Sequence, residues 1–279
     1  MDKFKIRCQK EWQENEYEKE LWEWENTLSQ IVLNTPGKKI LFPGFCQICQ
    51  KEVDFILDDK WSGSENCVNF RERMTCPICG LNNRMRAMME LISEFVDVEK
   101  DSIYMYEQVT TMFKHLERKC KNLIGSEYLD TEYEPGYITM KGIRHEDAMN
   151  LSFQADSFKC IISQDVFEHV SDIKKTLSES FRVLQNGGVM LISVPFYFDR
   201  YITEKRAEIT NNKINYLKDP IYHGNPVSTE GSLVFYAYGW DLLDWIKDAG
   251  YSDAYFRKTY SCRNGNIGVN ALAFLVAKK

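Results

Sequence analysis

A strand, a helix and a second strand follow one another between residues 158 and 196, and this order constrains the fold more than any other feature. The run from Phe158 to Val166 is short, apolar and β-rich, as expected for a parallel strand that is buried on both faces. Apolar residues then recur every three or four positions up to Leu184, and Asn186-Gly187-Gly188 is predicted to stop this helix. A second β-rich run, Val189 to Phe196, completes a βαβ unit with parallel strands and a right-handed crossover.

Polar side chains gather where these two strands are expected to end. Gln164, Asp165, Glu168 and His169 follow the first strand, and Tyr197 follows the second. In open α/β sheets, ligands bind in the crevice outside the carboxyl ends of the strands. The sequence therefore predicts a ligand site at this edge of the sheet.

Three stretches around this unit resemble the successive motifs of S-adenosylmethionine-dependent methyltransferases of the Rossmann-like class (methyltransferase type 11-like). They are RHEDAMNLSF, DSFKCIISQDVFEHV and FRVLQNGGVMLISVPF, and the resemblance covers roughly Ser102 to the C-terminus. It implies an α/β fold with a doubly wound, mostly parallel sheet, a C-terminal antiparallel hairpin and S-adenosylmethionine as cofactor. It also implies that Asp147 and Ala148 lie near the adenine, and that Asp165, in the QDVFEHV loop, borders the methionine end.

The first cofactor loop departs from the family pattern. The family usually has an acidic residue followed by glycines at the end of the first strand, whereas this chain reads EQVTTM from Glu107. Glu107 is expected to keep the acidic role, with Thr110 and Thr111 and the amides of a helix N-terminus near the methionine carboxylate. The resemblance assigns the ribose diol to Glu127, which ends the second strand, with Asp130 as the fallback. A loop that no longer binds the cofactor would leave a non-catalytic zinc-binding adaptor.

Two C-x2-C pairs with 26 intervening residues predict a metal site. In a chain without a secretory signal, paired cysteines bind metal more often than they form disulfides. Four thiolates complete the tetrahedral shell that zinc prefers and leave no open position for catalysis. A structural zinc ribbon is therefore expected, and free thiols or an iron–sulfur site are the alternatives; the ligands are Cys46, Cys49, Cys76 and Cys79.

The chain is predicted to have three parts. Residues 1–36 are expected to form an N-terminal amphipathic helix, residues 37–83 the zinc-ribbon module and residues 84–279 the methyltransferase domain. A polar insertion at about 199–233 lies where a substrate lid or binding loop is expected. The stripe of the N-terminal helix consists of Trp12, Tyr17, Leu21, Trp24 and Leu28.

Methyl transfer is an in-line displacement at a sulfonium, so the protein mainly supplies alignment and, for a hydroxyl acceptor, a base. His223 is the leading candidate for that base and His169 is the second, because imidazole titrates near neutral pH. A purely structural histidine is the alternative for each. We expect a small-molecule or glycan acceptor, methylated at oxygen rather than at carbon.

The net charge and the hydropathy of the chain limit the cellular compartments and the binding partners that we expect. The net charge of −6 gives no general attraction to nucleic acid, so such a partner is not expected. An RNA or protein methyltransferase stays an alternative, and its footprint would be a basic face on the zinc module, formed by Arg71, Arg73, Arg84 and Arg86. No apolar run approaches a membrane span, and the N-terminus lacks a signal-peptide core, so we expect a cytoplasmic protein without membrane insertion.

Overall fold

The structure is a computed structural model. It describes residues 5–14, 17–35, 37, 39–62, 67–211, 213–268 and 272–279, with only the backbone of residues 17–19. The chain folds as two units. The first comprises the described residues within Met1–Ile6, Lys10–Glu94 and Phe256–Ala273, and the second comprises those within Arg7–Gln9, Phe95–Tyr255 and Phe274–Lys279.

The N-terminal part is divided into two helices where the sequence predicts one. The elements up to residue 95 are β1 (Lys5–Ile6), α1 (Gln9–Gln13), α2 (Tyr17–Leu33), β2 (Ile40–Cys46), β3 (Lys51–Leu57) and α3 (Asn83–Phe95). Among the described side chains of α2, those of Glu25, Ser29 and Val32 are buried, whereas Trp24 is 39% exposed. Ser29 Oγ accepts a hydrogen bond from the Val68 amide at 3.3 Å, so part of the inward face is polar.

An antiparallel hairpin organises the cysteine-containing part of the first unit. β2 and β3 pair from Ile40 opposite Leu57 to Cys46 opposite Lys51. One face of this hairpin packs into an apolar core, because alternate residues of a strand point to the same side. That core includes Val32, Val53, Phe55, Leu57, Phe70, Met74 and Ile267.

The second unit is built around a mostly parallel sheet. Its elements are β4 (Ile103–Met105), α4 (Thr111–Glu117), β5 (Leu123–Gly125), β6 (Phe158–Gln164), α5 (Ile173–Val183), β7 (Leu184–Ser193), β8 (Glu204–Lys205), β9 (Ala207–Thr210), β10 (Lys213–Tyr216), β11 (Tyr222–Asn225), β12 (Ser228–Leu233), β13 (Tyr236–Ala237), α6 (Asp241–Asp248), β14 (Asp253–Lys258) and β15 (Ala273–Lys278). The strand order is β14-β15-β7-β6-β4-β5, followed at the β14 edge by β1. β5, β4, β6 and β7 run parallel, and β15 runs antiparallel to β7. The predicted Rossmann-like α/β fold is therefore confirmed.

The central βαβ unit forms as the sequence predicts, but β6 ends at Gln164 rather than Val166, and β7 spans Leu184–Ser193 rather than Val189–Phe196. Asp172 caps α5 by accepting a hydrogen bond from the Lys175 amide at 3.2 Å. β7 begins at Leu184, so the predicted glycine stop lies inside the strand. Gly187 has a φ of 69° there, and the pairing of β7 with β6 shifts register nearby. The glycines thus accommodate a bulge, since only glycine adopts such a φ without steric strain.

The C-terminal strands are antiparallel, as expected, but their connection is long. The Ser252 amide donates to Lys278 O at 2.7 Å, and the Thr259 amide donates to Leu272 O at 3.1 Å. The connecting residues belong to the first unit, where Arg86 Nη2 donates to Gly265 O at 2.8 Å.

The insertion after β7 consists of three short antiparallel pairings. β8 pairs with β13, β9 with β10, and β11 with β12. Among the helices that the structure describes, none is long and apolar enough to cross a membrane.

Candidate functional site

Acidic side chains follow the carboxyl ends of neighbouring parallel strands in the second unit. Glu107 comes after β4, Glu127 after β5 and Asp165 directly after β6. A parallel bridge between Glu127 and His145 extends the sheet beyond β5 and leads into the segment that carries Asp147. The structure therefore puts Glu107, Glu127 and Asp165 at one edge of the sheet, where open α/β folds bind ligands.

Glu127 fixes the glycine-poor loop. Its Oε1 accepts hydrogen bonds from the amides of Gln108, at 2.7 Å, and Val109, at 2.9 Å. Burial raises the pKa of Glu127 above its ordinary value, while these two amide hydrogen bonds oppose that rise. Oε2 makes no hydrogen bond to any residue that the structure describes.

The loop itself needs no glycine to reach its conformation. None of the residues from 107 to 112, all of which the structure describes, has a positive φ. The Gln108 side chain accepts a hydrogen bond from the Arg144 amide at 2.9 Å and donates to Gly142 O at 2.8 Å. Thr110 accepts from the Phe113 amide at 3.2 Å and so caps α4. The departure from the family pattern thus leaves an ordered loop.

Asp147 and Ala148 lie in a tight turn. Asp147 Oδ1 accepts a hydrogen bond from the Met149 amide at 2.8 Å, and the Asn150 amide donates to Asp147 O at 2.9 Å. Ala148 is buried. Neither Asp147 Oδ2 nor the Ala148 amide makes a hydrogen bond within the described part of the chain.

Asp165 is held in an uncommon backbone conformation. Its φ is 56°, in the left-handed region that non-glycine residues rarely adopt. Ser193 Oγ donates to Asp165 Oδ1 at 3.0 Å, and the Asp165 amide donates to Ser193 O at 2.7 Å. These contacts fix the start of the QDVFEHV loop, and such conformations are frequent at functional sites.

The two predicted histidines come together with a buried glutamate. The rings of His169 and His223 are perpendicular, with their centroids 5.0 Å apart. Glu168 Oε1 lies 3.7 Å from His169 Nε2 and 3.5 Å from His223 Nδ1. Glu168 was expected at the strand end, but no role was predicted for it. Its position next to His169 was the feature of the sequence that pointed to a shared site. We refer to these three residues as the Glu–His–His cluster.

A cavity of about 680 Å³ lies beside the insertion. Its wall includes Met149, two residues from the cofactor-side Asp147, and Ser171, whose Oγ donates to Met149 Sδ at 3.4 Å. The insertion contributes Thr203, and the aromatic rings come from Tyr236 and Trp245. This volume is within the range of small-molecule sites, roughly 300–1,000 Å³.

The four predicted metal ligands converge in the first unit. Cys46 Sγ and Cys79 Sγ are 3.9 Å apart, and Cys49 Sγ and Cys76 Sγ are 3.8 Å apart. Sulfur ligands of one tetrahedral zinc, at bond lengths near 2.3 Å, lie about 3.8 Å from each other. The spacing therefore fits zinc, and it is far longer than a disulfide bond, which is about 2.05 Å.

Hydrogen bonds and burial shift the pKa values of the thiols in this cluster. A hydrogen bond from Cys79 lowers the pKa of Cys46 to about 4, and burial raises the pKa of Cys49 to about 11. Four adjacent thiolates repel each other unless a cation compensates their charge. A bound dication allows all four to ionise together.

The arginines of the first unit do not form an open basic face. Arg71 and Arg84 both pair with Glu72, at 2.8 and 2.9 Å, and Arg73 pairs with Asp58. The fourth predicted member, Arg86, is buried and donates to backbone carbonyls. These four arginines therefore make ion pairs or hydrogen bonds within the first unit.

One protein-family model matches part of the second unit. Residues 109–192 match the family model described as "Methyltransferase domain" (Methyltransf_11). No curated protein matches the chain. The segment matched by the family model runs from the glycine-poor loop to β7 and includes the Asp147 turn and part of the Glu–His–His cluster.

Several solved structures match this chain at low sequence identity. An S-adenosylmethionine-dependent methyltransferase from Mesorhizobium loti is 14% identical over 69% of this chain and 98% of that chain, with a TM-score of 0.43. Another from Clostridium acetobutylicum is 14% identical over 70% of this chain and 89% of that chain, with a TM-score of 0.43. A complex between the Haloferax volcanii Trm112 methyltransferase activator and a methyltransferase gives 12% identity over 70% of this chain and 89% of that chain, with a TM-score of 0.45. Residues 109–192 thus match a methyltransferase domain model, which agrees with the resemblance to Rossmann-like S-adenosylmethionine-dependent methyltransferases.

Proposed function

We propose that this chain transfers a methyl group from S-adenosylmethionine to an oxygen of a small-molecule or glycan acceptor. The observation that supports the proposal best is the hydrogen bonding of two carboxylates, those of Glu127 and Asp147. Glu127 and Asp147 each use one oxygen to fix nearby backbone, and the second oxygen of each has no hydrogen bond within the described residues. Bound S-adenosylmethionine offers matching donors, its ribose diol and its adenine amino group, and supplies the methyl group on a sulfonium.

Glu127 is the proposed ribose ligand. Its Oε1 is held by two amides, so the orientation of the carboxylate is set before the cofactor binds. Oε2 is then available to accept hydrogen bonds from the diol. Such preorganisation lowers the entropy lost on binding.

Asp147 and Ala148 are the proposed adenine ligands. An oxygen beside a backbone amide provides an acceptor and a donor next to each other, and the edge of adenine offers the complementary pair. The turn that holds Asp147 Oδ1 on the Met149 amide leaves Asp147 Oδ2 and the Ala148 amide for this purpose. The tight turn thus fixes the distance between Asp147 Oδ2 and the Ala148 amide.

Glu107 and Asp165 are proposed to border the methionine end of the cofactor. Both follow central strands, and Glu107 is buried at 6% exposure. A carboxylate at this position can pair with a cation. The positively charged amino group and sulfonium of the cofactor are such cations.

The Glu–His–His cluster is the candidate for activating the acceptor. A hydroxyl is a weak nucleophile until it loses its proton, so the site needs a group that lowers the barrier to proton loss. His223 and His169 therefore stay the candidates for this role, either by taking the proton or through a bound ion. The cavity beside the insertion supports an acceptor of small-molecule size, and Trp245 offers an aromatic face against which a sugar ring can pack.

An acceptor screen tests the proposal. Zinc-loaded protein is incubated with S-adenosylmethionine and matched sets of hydroxyl, amine and carbon acceptors, including sugars and glycans, and S-adenosylhomocysteine and methylated product are measured by mass spectrometry. We expect product from hydroxyl acceptors and a loss of about a hundredfold or more in rate for His223→Ala. The control, His115→Ala, removes a histidine on α4 and is expected to keep the wild-type rate. Methylation of amines or carbons alone would refute oxygen as the target.

A further inference from the structure

The Glu–His–His cluster has the composition of a metal site. Glu168, His169 and His223 offer one carboxylate oxygen and two imidazole nitrogens, and these atoms all lie within 4.8 Å of one another. The three residues come from two places in the second unit, because Glu168 and His169 follow β6 and His223 lies on β11. Two of the four histidines of the chain thus meet at one buried carboxylate.

Glu168 lacks the partners that a buried carboxylate normally has. Its side chain is 0% exposed, and within the described part of the chain neither carboxylate oxygen has a hydrogen-bond partner. A buried carboxylate without hydrogen bonds or a compensating charge is strongly unfavourable. A cation at this position would resolve the imbalance.

The unprotonated ring nitrogen of His169 faces the Glu168 carboxylate. His169 Nδ1 is 2.9 Å from Leu233 O, and a carbonyl oxygen can only accept, so Nδ1 carries the proton. In the neutral ring, Nε2 then has a lone pair, and this atom is the one that faces Glu168. Metal-binding histidines commonly use a backbone carbonyl in this way to fix their orientation.

The distances favour a shared ion over direct ion pairs. The two nitrogen–oxygen separations are 3.7 and 3.5 Å, whereas hydrogen bonds between such atoms measure roughly 2.7–3.2 Å. Ligands of one tetrahedral zinc, at bonds near 2.1 Å, lie about 3.4 Å apart. The spacing is too long for charged imidazole–carboxylate hydrogen bonds and close to that of ligands around one ion.

We propose that Glu168, His169 and His223 bind a divalent transition-metal ion, of the class that includes Mn²⁺, Fe²⁺, Co²⁺ and Zn²⁺. Imidazole and carboxylate are ligands that these ions accept. Three protein ligands leave coordination positions open, unlike the closed four-cysteine set. The His223 side chain is 39% exposed, so the open positions have a route to solvent and to an acceptor.

The role of this ion rests on the proposed function. An acceptor hydroxyl that coordinates the ion becomes more acidic and releases its proton to solvent. The resulting oxyanion attacks the methyl carbon of the sulfonium, so that an O–C bond forms while the S–C bond breaks. The electron pair of the broken bond stays on sulfur, giving neutral S-adenosylhomocysteine and a neutral methyl ether.

Titration with Mn²⁺ tests the site separately from the cysteine cluster, because Mn²⁺ prefers oxygen and nitrogen ligands to thiolates. The free-ion electron paramagnetic resonance signal is followed while protein that holds only one zinc per chain, at the cysteine cluster, is titrated. We expect one bound Mn²⁺ per wild-type chain and at least tenfold weaker binding in Glu168→Gln and His223→Ala. His115→Ala is the matched control and is expected to bind as wild type does.

The outcomes separate this inference from the proposed function. A folded wild-type protein that holds only the one zinc of the cysteine cluster and binds no Mn²⁺, Co²⁺ or Zn²⁺ beyond it would overturn the metal site, even if it binds S-adenosylmethionine. Equal Mn²⁺ binding by wild type and both cluster variants would overturn it as well. Metal binding without S-adenosylmethionine binding would support the site and refute its part in methyl transfer.

Discussion

Glu127 contacts the glycine-poor loop and is also the proposed ligand of the cofactor's ribose. One of its oxygens holds the glycine-poor loop through two amides, and the other remains for a ligand. The loop therefore keeps a defined shape by means of a side chain where the family usually relies on glycine. This single carboxylate explains how a departure from the family pattern is compatible with cofactor binding.

Substitution of the two proposed cofactor carboxylates tests their assignment. Glu127→Ala and Asp147→Ala are each expected to weaken S-adenosylmethionine binding by about 1–3 kcal/mol, because each removes a charged hydrogen-bond partner. Titration calorimetry measures the change. Glu132→Ala is the matched control, since Glu132 is an exposed acid in the same loop and has no assigned part in cofactor binding. If both site variants bind as tightly as wild type, the assignment is wrong.

Single residues also mark the limit of sequence-based reasoning. Asp147 and Glu127 were identified through the motifs around them, and their roles stay predictions. Glu168 was placed at the strand end but not recognised as part of a cluster, because its partner His223 is distant in sequence and comes near only through the β11–β12 hairpin. A buried carboxylate and a solvated one are indistinguishable in the sequence.

The hydrophobic periodicity of the sequence predicts helices and strands whose buried faces are apolar. It does not predict polar side chains that are buried because they make hydrogen bonds. The strand β6 was predicted correctly, because six of its seven residues are buried and apolar residues dominate it. The face of α2 was predicted from aromatic spacing, yet Glu25 and Ser29 are buried there, with the Glu25 carboxylate accepting from the Gly268 amide. Hydrogen bonds between distant segments leave no periodic signal.

The hairpin of β2 and β3 carries half of the cysteine cluster, so loss of metal is expected to disturb the first unit. Cys46→Ser should lower bound zinc from about one per chain at the cysteine cluster to well below that, because binding and folding of such sites are coupled. Metal analysis of a sample purified without added ions, together with circular dichroism, checks this result. Cys262→Ser is the matched control, since Cys262 is exposed and lies outside the cluster.

A metal-free wild-type protein that is fully folded would contradict the zinc ribbon. Equal zinc content in Cys46→Ser and Cys262→Ser would also contradict it.

At the scale of the whole molecule, the predicted fold class is correct, and the predicted boundaries at residues 36 and 83 stay predictions. The segment Phe256–Ala273 belongs to the first unit, and no change in amino-acid composition predicts this. The cause lies in side chains of α3: Asn83 donates to Ile267 O, and Arg86 donates to Gly265 O. Such contacts depend on the folded chain path, so the sequence predicts the sheet better than the division of the chain.

The most direct test of the account is titration calorimetry of the folded, zinc-loaded protein with S-adenosylmethionine and S-adenosylhomocysteine. The account predicts that both ligands bind at one site per chain with a Kd of roughly micromolar order, corresponding to about −8 kcal/mol. Absence of binding by both ligands would contradict it, and would leave a zinc-binding adaptor built on a methyltransferase fold.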